Sequence, residues 1–166
     1  MNAYKNPRVK LEIAPAAGVP LTVVTIARDR KNQAEQEAAR EEDDNVKFDS
    51  VWAVFDVDDH PHVPAAIELA RDNAINLAIS NPAFELWLLL HFRDQPGMQG
   101  RAAVRRLLDT YVKDYDKSVN YRNYEDGYED AVKRAKPLGP CNLNTCQPGP
   151  NPSTGAYSLT ESIRKE

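Results

Sequence analysis

The chain has 166 residues, 42% hydrophobic and 28% charged, with a formal net charge of −4 at pH 7. That length holds one domain with a real core, and the composition is that of an ordinary globular protein. The negative balance excludes charge-driven nucleic-acid binding over the whole surface. No apolar run reaches the length of a membrane span, and the start at Met1 has no apolar signal core. The expectation is therefore a cytoplasmic protein with no membrane partner.

Arg8 to Ala14 alternates polar and apolar residues, which predicts a short strand ended by Pro15 and Gly18. Pro20 suits a first helical turn, and the chain is rich in helix formers to about Arg40. Glu41 to Asp44 is an acidic break, and Ser50 to Phe55 reads as a core strand. Val63 to Ala74 predicts a helix with Ile67 and Ala70 inward, and Asn76 to Ser80 a second short apolar strand. Asn81 is the expected N-cap and Pro82 the expected first residue of a helix running to Phe92. That helix is apolar nearly all round, so it belongs in a core, and only Glu85 and His91 interrupt it. Gly100 to Val112 and Tyr124 to Ala135 predict two more helices, Pro137 to Pro152 a loop, and Ser158 to Arg164 a last short helix. Cys141 and Cys146 lie in that loop with no second Cys pair and no following His, so they read as free thiols rather than a zinc site.

Alternating strands and helices give a parallel sheet with crossover helices, an α/β fold. The expected organisation is a single domain over 1–166, with a core at about 8–92 and a helical C-terminal extension at about 100–166. Ligands of such sheets sit outside the carboxyl ends of the strands, and Asp56, Asp58, Asn81 and Glu85 all follow a strand end. Asp56 and Asp58 are two residues apart, so in extended chain their side chains point to one side. Two carboxylates side by side raise each other's pKa unless a cation neutralises them, and Mg²⁺ commonly takes one or two carboxylates plus substrate phosphates. A bare Asp-x-Asp also fits a solvated acidic turn.

Glu85 needs a partner in so apolar a helix, either an arginine or the acids of the neighbouring strand end. His91 reads as a structural hydrogen-bonding residue. Arg101 and Arg105 form an i,i+4 pair on one helix face, open to phosphate contact or to solvent, and Arg71 is a further phosphate candidate. A strand followed by Asp-x-Asp also opens haloacid-dehalogenase-like phosphatases, and Leu77 to Ser80 superficially matches their second motif. The block from Asn81 to Phe92 has no place in that pattern.

Phe55 to His60, then Ser80 to Phe92, then Asn151-Pro152-Ser153-Thr154 before the last helix, together resemble the RloB family. The resemblance runs from about residue 8 to the end. It implies a Toprim-like parallel sheet with helices on both faces, and Mg²⁺ (or Mn²⁺) as cofactor. It implies Asp56 and Asp58 as metal ligands, and Glu85 beside them with a metal or structural role. Toprim sheets open with a strand that ends in a Glu-Gly-like turn. No apolar strand with a trailing Glu comes before the Arg8 to Ala14 strand, so the sheet is expected to lack its first strand, as in an N-terminally truncated copy, unless the glutamate comes from elsewhere. RloB-like proteins occur in bacterial restriction-modification and abortive-infection loci, commonly beside an AAA-type ATPase. The implied function is a phage-defence nuclease acting on DNA, RNA or tRNA, with Arg71, Arg101 or Arg105 holding phosphates. The alternative is a catalytically inactive subunit that docks the ATPase.

Overall fold

The computed structural model describes residue 13, residues 18–57, residue 60 and residues 62–165, the side chain of Lys165 apart. The strand expected over Arg8 to Ala14 lies, but for an exposed Ile13, outside the described residues. The chain then runs α1 (Pro20–Glu41), β1 (Trp52–Asp56), α2 (Val63–Asp72), β2 (Asn76–Asn81), α3 (Glu85–Leu90), α4 (Arg101–Asp109), α5 (Tyr128–Ala135), β3 (Ser153–Thr154) and α6 (Ala156–Lys165), with short 3₁₀ turns between. Pro20 opens α1, where its missing N–H costs nothing. The helix closes at Glu42, in the left-handed region at φ 55°, where Asp43 returns its N–H to the Ala38 carbonyl.

β1 and β2 are parallel neighbours joined by α2, in register from Trp52 opposite Asn76 to Asp56 opposite Ser80. This is the crossover unit that the sequence pattern predicts. Ala53, Phe55 and Ile79 pack one face of the pair onto Val24 of α1 and onto Val63, Ala66, Ile67 and Ala70 of α2. A second core gathers the wholly buried α3 with Val104 and Leu108 of α4, Ala131, Val132 and Ala135 of α5, and Ala156 of α6. Gly155 N–H donates to the Ile79 carbonyl at 2.8 Å, which seats the start of α6 on β2. Helices therefore surround the sheet, as expected.

Two expectations are corrected. The sheet is mixed rather than parallel throughout, because β3 runs antiparallel to β2, Ser80 opposite Thr154 and Asn81 opposite Ser153. The helix expected from Asn81 and Pro82 begins at Glu85. Asn81 is instead the last residue of β2, and its side-chain amide donates to the Gly149 carbonyl at 2.9 Å, so no cap is left for a helix at that point. Among the described residues, no helix is long and apolar enough to cross a membrane.

Candidate functional site

Three separate stretches of sequence meet at the carboxyl end of β1. Asp56 ends that strand beside Ser80 of β2, and Ser80 in turn lies beside Thr154 of β3. Asn151, two residues before β3, makes two contacts with the loop ahead of α4. Its amide donates to the Gln99 carbonyl at 2.8 Å, and its carbonyl oxygen accepts from the Gln99 N–H at 3.3 Å. That clamp fixes where α4 begins, and Arg101, the first residue of α4, reaches back to Asp56 with Nη2 3.6 Å from Oδ2. The Asp56 side chain remains 22% exposed, so the pair is open to an incoming ligand.

Glu85 stands in the first turn of α3 and is only 5% exposed. Among the described residues, no hydrogen-bond donor or cation is in contact with its carboxylate. Its carboxylate oxygens keep a small opening to water, so an incoming cation can reach them. Tyr115 is in the field of both acids. Burial first, then the negative charge of Glu85, pushes its phenol up to about 12; Tyr124 and Asp56 act in the same sense and Arg105 opposes. Arg105 donates from Nη2 to the Tyr115 carbonyl at 3.1 Å. Arg101 and Arg105 thus share one face of α4, as their i,i+4 spacing predicts, with Arg101 on Asp56 and Arg105 on the Tyr115 carbonyl. Tyr124 lies close by, and its phenol oxygen is buried with no hydrogen-bond partner among the described residues.

Asp58 lies outside the described residues. Arg71 is not brought to this edge. It sits in the last turn of α2, just before β2 starts, and it pairs with Asp72 at 2.8 Å and approaches the Cys146 sulfur at 3.2 Å. His91 is buried, and its Nδ1–H donates to the Trp87 carbonyl at 2.9 Å, with its ring edge-on to Trp87 and to Tyr124. This is the structural role read from the sequence. Tyr115 and Tyr124 were not legible as neighbours of the acids, because nothing in their local spacing differs from ordinary core aromatics. Cys141 and Cys146 are free thiols.

Among the described residues, no group of three or more His, Cys, Asp or Glu side chains is arranged to hold a metal ion. Asp56 and Glu85 nevertheless suit a hard cation, since Mg²⁺ needs only one or two carboxylates when phosphate and water oxygens fill the rest. The nearly buried, unpartnered Glu85 carboxylate is the observation that fits such a group.

The family model for RloB-like proteins matches residues 2–163. The chain belongs to the RloB-like family. No curated protein and no solved structure matches it. Its mixed α/β sheet, wrapped by helices, is consistent with the Toprim-like arrangement that the resemblance implied. In this RloB-like chain the three family blocks are contiguous in space: the acid ending β1, the Ser80–Glu85 stretch and the Asn151–Thr154 stretch.

Proposed function

We propose that this RloB-like chain is a divalent-cation-dependent hydrolase of nucleic-acid phosphodiesters, acting in bacterial phage defence. The observation that carries the reading is the pairing of Asp56 with Arg101 at the end of β1, with Glu85 and Asp56 both acting on the neighbouring Tyr115. Asp56 and Asp58 would hold Mg²⁺ or Mn²⁺, which when bound polarises the scissile phosphate and activates water. The chain's own residues do the rest. Arg101 exchanges its 3.6 Å contact with Asp56 for the oxygens of a phosphate, a stronger, charge-assisted partner. Arg105, held by the Tyr115 carbonyl, adds a second guanidinium on the same helix face. Glu85 adds negative charge behind them, which draws a cation to the edge. The buried Tyr115 and Tyr124 exclude water from the inner side of the acids.

The test is titration of Mg²⁺ and Mn²⁺ into wild type and Asp56→Asn, followed by cleavage assays on DNA and tRNA. Metal-dependent cleavage that disappears in Asp56→Asn supports the reading. Cleavage that persists in the variant sinks it.

One observation favours a second reading. Arg101 already neutralises Asp56 without any cation, as a relic acid would require. On that reading the chain is an inactive subunit docking an AAA-type ATPase, and capture of the ATPase unchanged by Asp56→Asn, with no cleavage by wild type, is its signature.

A further inference from the structure

A groove of ≈ 410 Å³ runs along the side of α4, bounded by Arg93, Pro96, Gln99, Ala103, Arg106 and Leu107. Among the described residues, no acidic side chain lines it. The nearest acid in sequence to Arg93 is Asp94, and its carboxylate is taken by Arg134 at 2.9 Å, while among the described residues Arg93 donates only to the Asp94 backbone carbonyl. Arg106 has no ion pair with Asp109 or with any other acid among the described residues. Two guanidinium groups therefore face one groove with their charge uncompensated. Between them Pro96, Ala103 and Leu107 form an apolar floor.

A second observation comes from the aromatic rings. Tyr111 follows Leu107 by one helical turn, and its ring stacks on Phe92, the neighbour of Arg93, at 5.1 Å between centroids and 12° between planes. Tyr111 is 45% exposed, so the ring is supported from behind and open in front. A supported, exposed aromatic ring beside a basic groove is how proteins hold unpaired bases, which every nucleotide can stack irrespective of sequence. A duplex hides its base faces in the stack, and an acidic peptide has no use for the ring. The groove and the Asp56 edge share one helix, which carries Arg101, Arg105 and Arg106.

We infer that this groove is a subsite for single-stranded nucleic acid. Arg93 and Arg106 take two backbone phosphates, and the open face of Tyr111 takes a base. The inference rests on the nucleic-acid reading of the Asp56 edge for the choice of polymer, and it names the form of substrate that edge receives.

The experiment is fluorescence anisotropy of a labelled single-stranded oligonucleotide, as DNA and as RNA, with chelator present so that nothing is cut. Arg93→Gln/Arg106→Gln and Tyr111→Ala are each expected to weaken binding about tenfold. The double arginine variant also flattens the slope of log affinity against log salt by about 1.4, the value for two phosphates on a single strand. Tyr111→Phe keeps wild-type affinity because it keeps the ring, and a duplex of the same sequence binds more weakly than either strand. All three side chains are at least partly exposed, and thermal melts confirm that the variants fold. Unchanged affinity in the variants overturns the inference, as does tighter binding of a glutamate-rich peptide than of the oligonucleotide. The two readings fail separately. Groove-dependent binding without cleavage by any preparation leaves the subsite and removes the hydrolase. Cleavage by wild type that the groove variants match in both binding and rate leaves the hydrolase and removes the subsite.

Discussion

The hydroxyls of Ser80 and Thr154 lie 2.9 Å apart in the interior, across the β2–β3 pair and one strand over from Asp56. Both residues are buried, and Thr154 Oγ1 also accepts the Ala156 N–H at 3.3 Å, so one oxygen ties β3 to β2 and starts α6. Thr154→Val keeps the shape and deletes that oxygen. It leaves the Ser80 hydroxyl and the Ala156 N–H without this partner, and we expect a loss of about 1–3 kcal/mol, read as a lower urea midpoint. Thr154→Ser, which keeps the oxygen, is expected to lose less.

Glu85→Gln separates function from stability. The side chain is nearly buried and has no hydrogen-bond partner among the described residues, so an isosteric amide can replace it with no bond lost. We expect the variant to melt within a few degrees of wild type, while Mg²⁺ affinity falls. A drop in stability with unchanged metal affinity would instead give Glu85 a purely structural role.

His91 makes the fold sensitive to mild acid. Burial holds its imidazole below the ordinary value of 6.5, with the hydrogen bond to the Trp87 carbonyl opposing and the charge of Arg134 adding to the depression. The unfolded chain therefore takes up a proton at about 6.5 that the folded chain refuses until lower pH. This contribution to stability is intact above pH 6.5 and declines as pH falls from there toward the folded value, with a slope of at most about 1.4 kcal/mol per unit. Urea midpoints measured from pH 7.5 down to pH 5 are expected to fall in wild type, and less steeply in His91→Gln.

Gly127 is required by contact rather than by backbone conformation. A Cβ there would stand 2.2 Å from the carbonyl oxygen of His91, and the obstacle is backbone, which has no rotamer to move. Gly127→Ala must push the start of α5 off α3. We expect a cost of about 1–3 kcal/mol, visible in thermal melts.

At the alkaline end, Tyr115 reverses the sense of His91. Its phenol is pushed up to about 12, so the unfolded chain ionises near 10 while the folded chain does not. Stability present below pH 10 is lost as pH rises toward 12. Ultraviolet titration is expected to show Tyr115 and the likewise buried Tyr124 ionising late, and Tyr115→Phe to remove one late component.

The β-α-β unit was legible because its signals are local. Pro20, the apolar run at residues 51–55 and the inward Ile67 each predict their element with little help from the rest of the chain. Asn81-Pro82 misled because it has the chemistry of a helix start, and only the distant Gly149 carbonyl and the pairing with Ser153 hold Asn81 in the strand. β3 was hidden because two residues cannot display a period of two. In the site, the Arg101 and Arg105 face followed from spacing alone. The position of Tyr115 between the acids and Arg105 did not, since it depends on how α4 leans on α3.

The Ser80–Thr154 link spans 74 positions of sequence, and the Asn81–Gly149 and Gln99–Asn151 contacts beside it span 68 and 52. A growing chain therefore carries Asp56 and Glu85 for a long stretch of its synthesis before β3 exists to close the sheet beside them. Long-range closure of this kind is slow and comes late. The acids are dispersed on a partly ordered chain until residue 154 has emerged, and the edge takes its final shape only in the finished protein. Assembly itself thus delays the onset of whatever chemistry that edge performs.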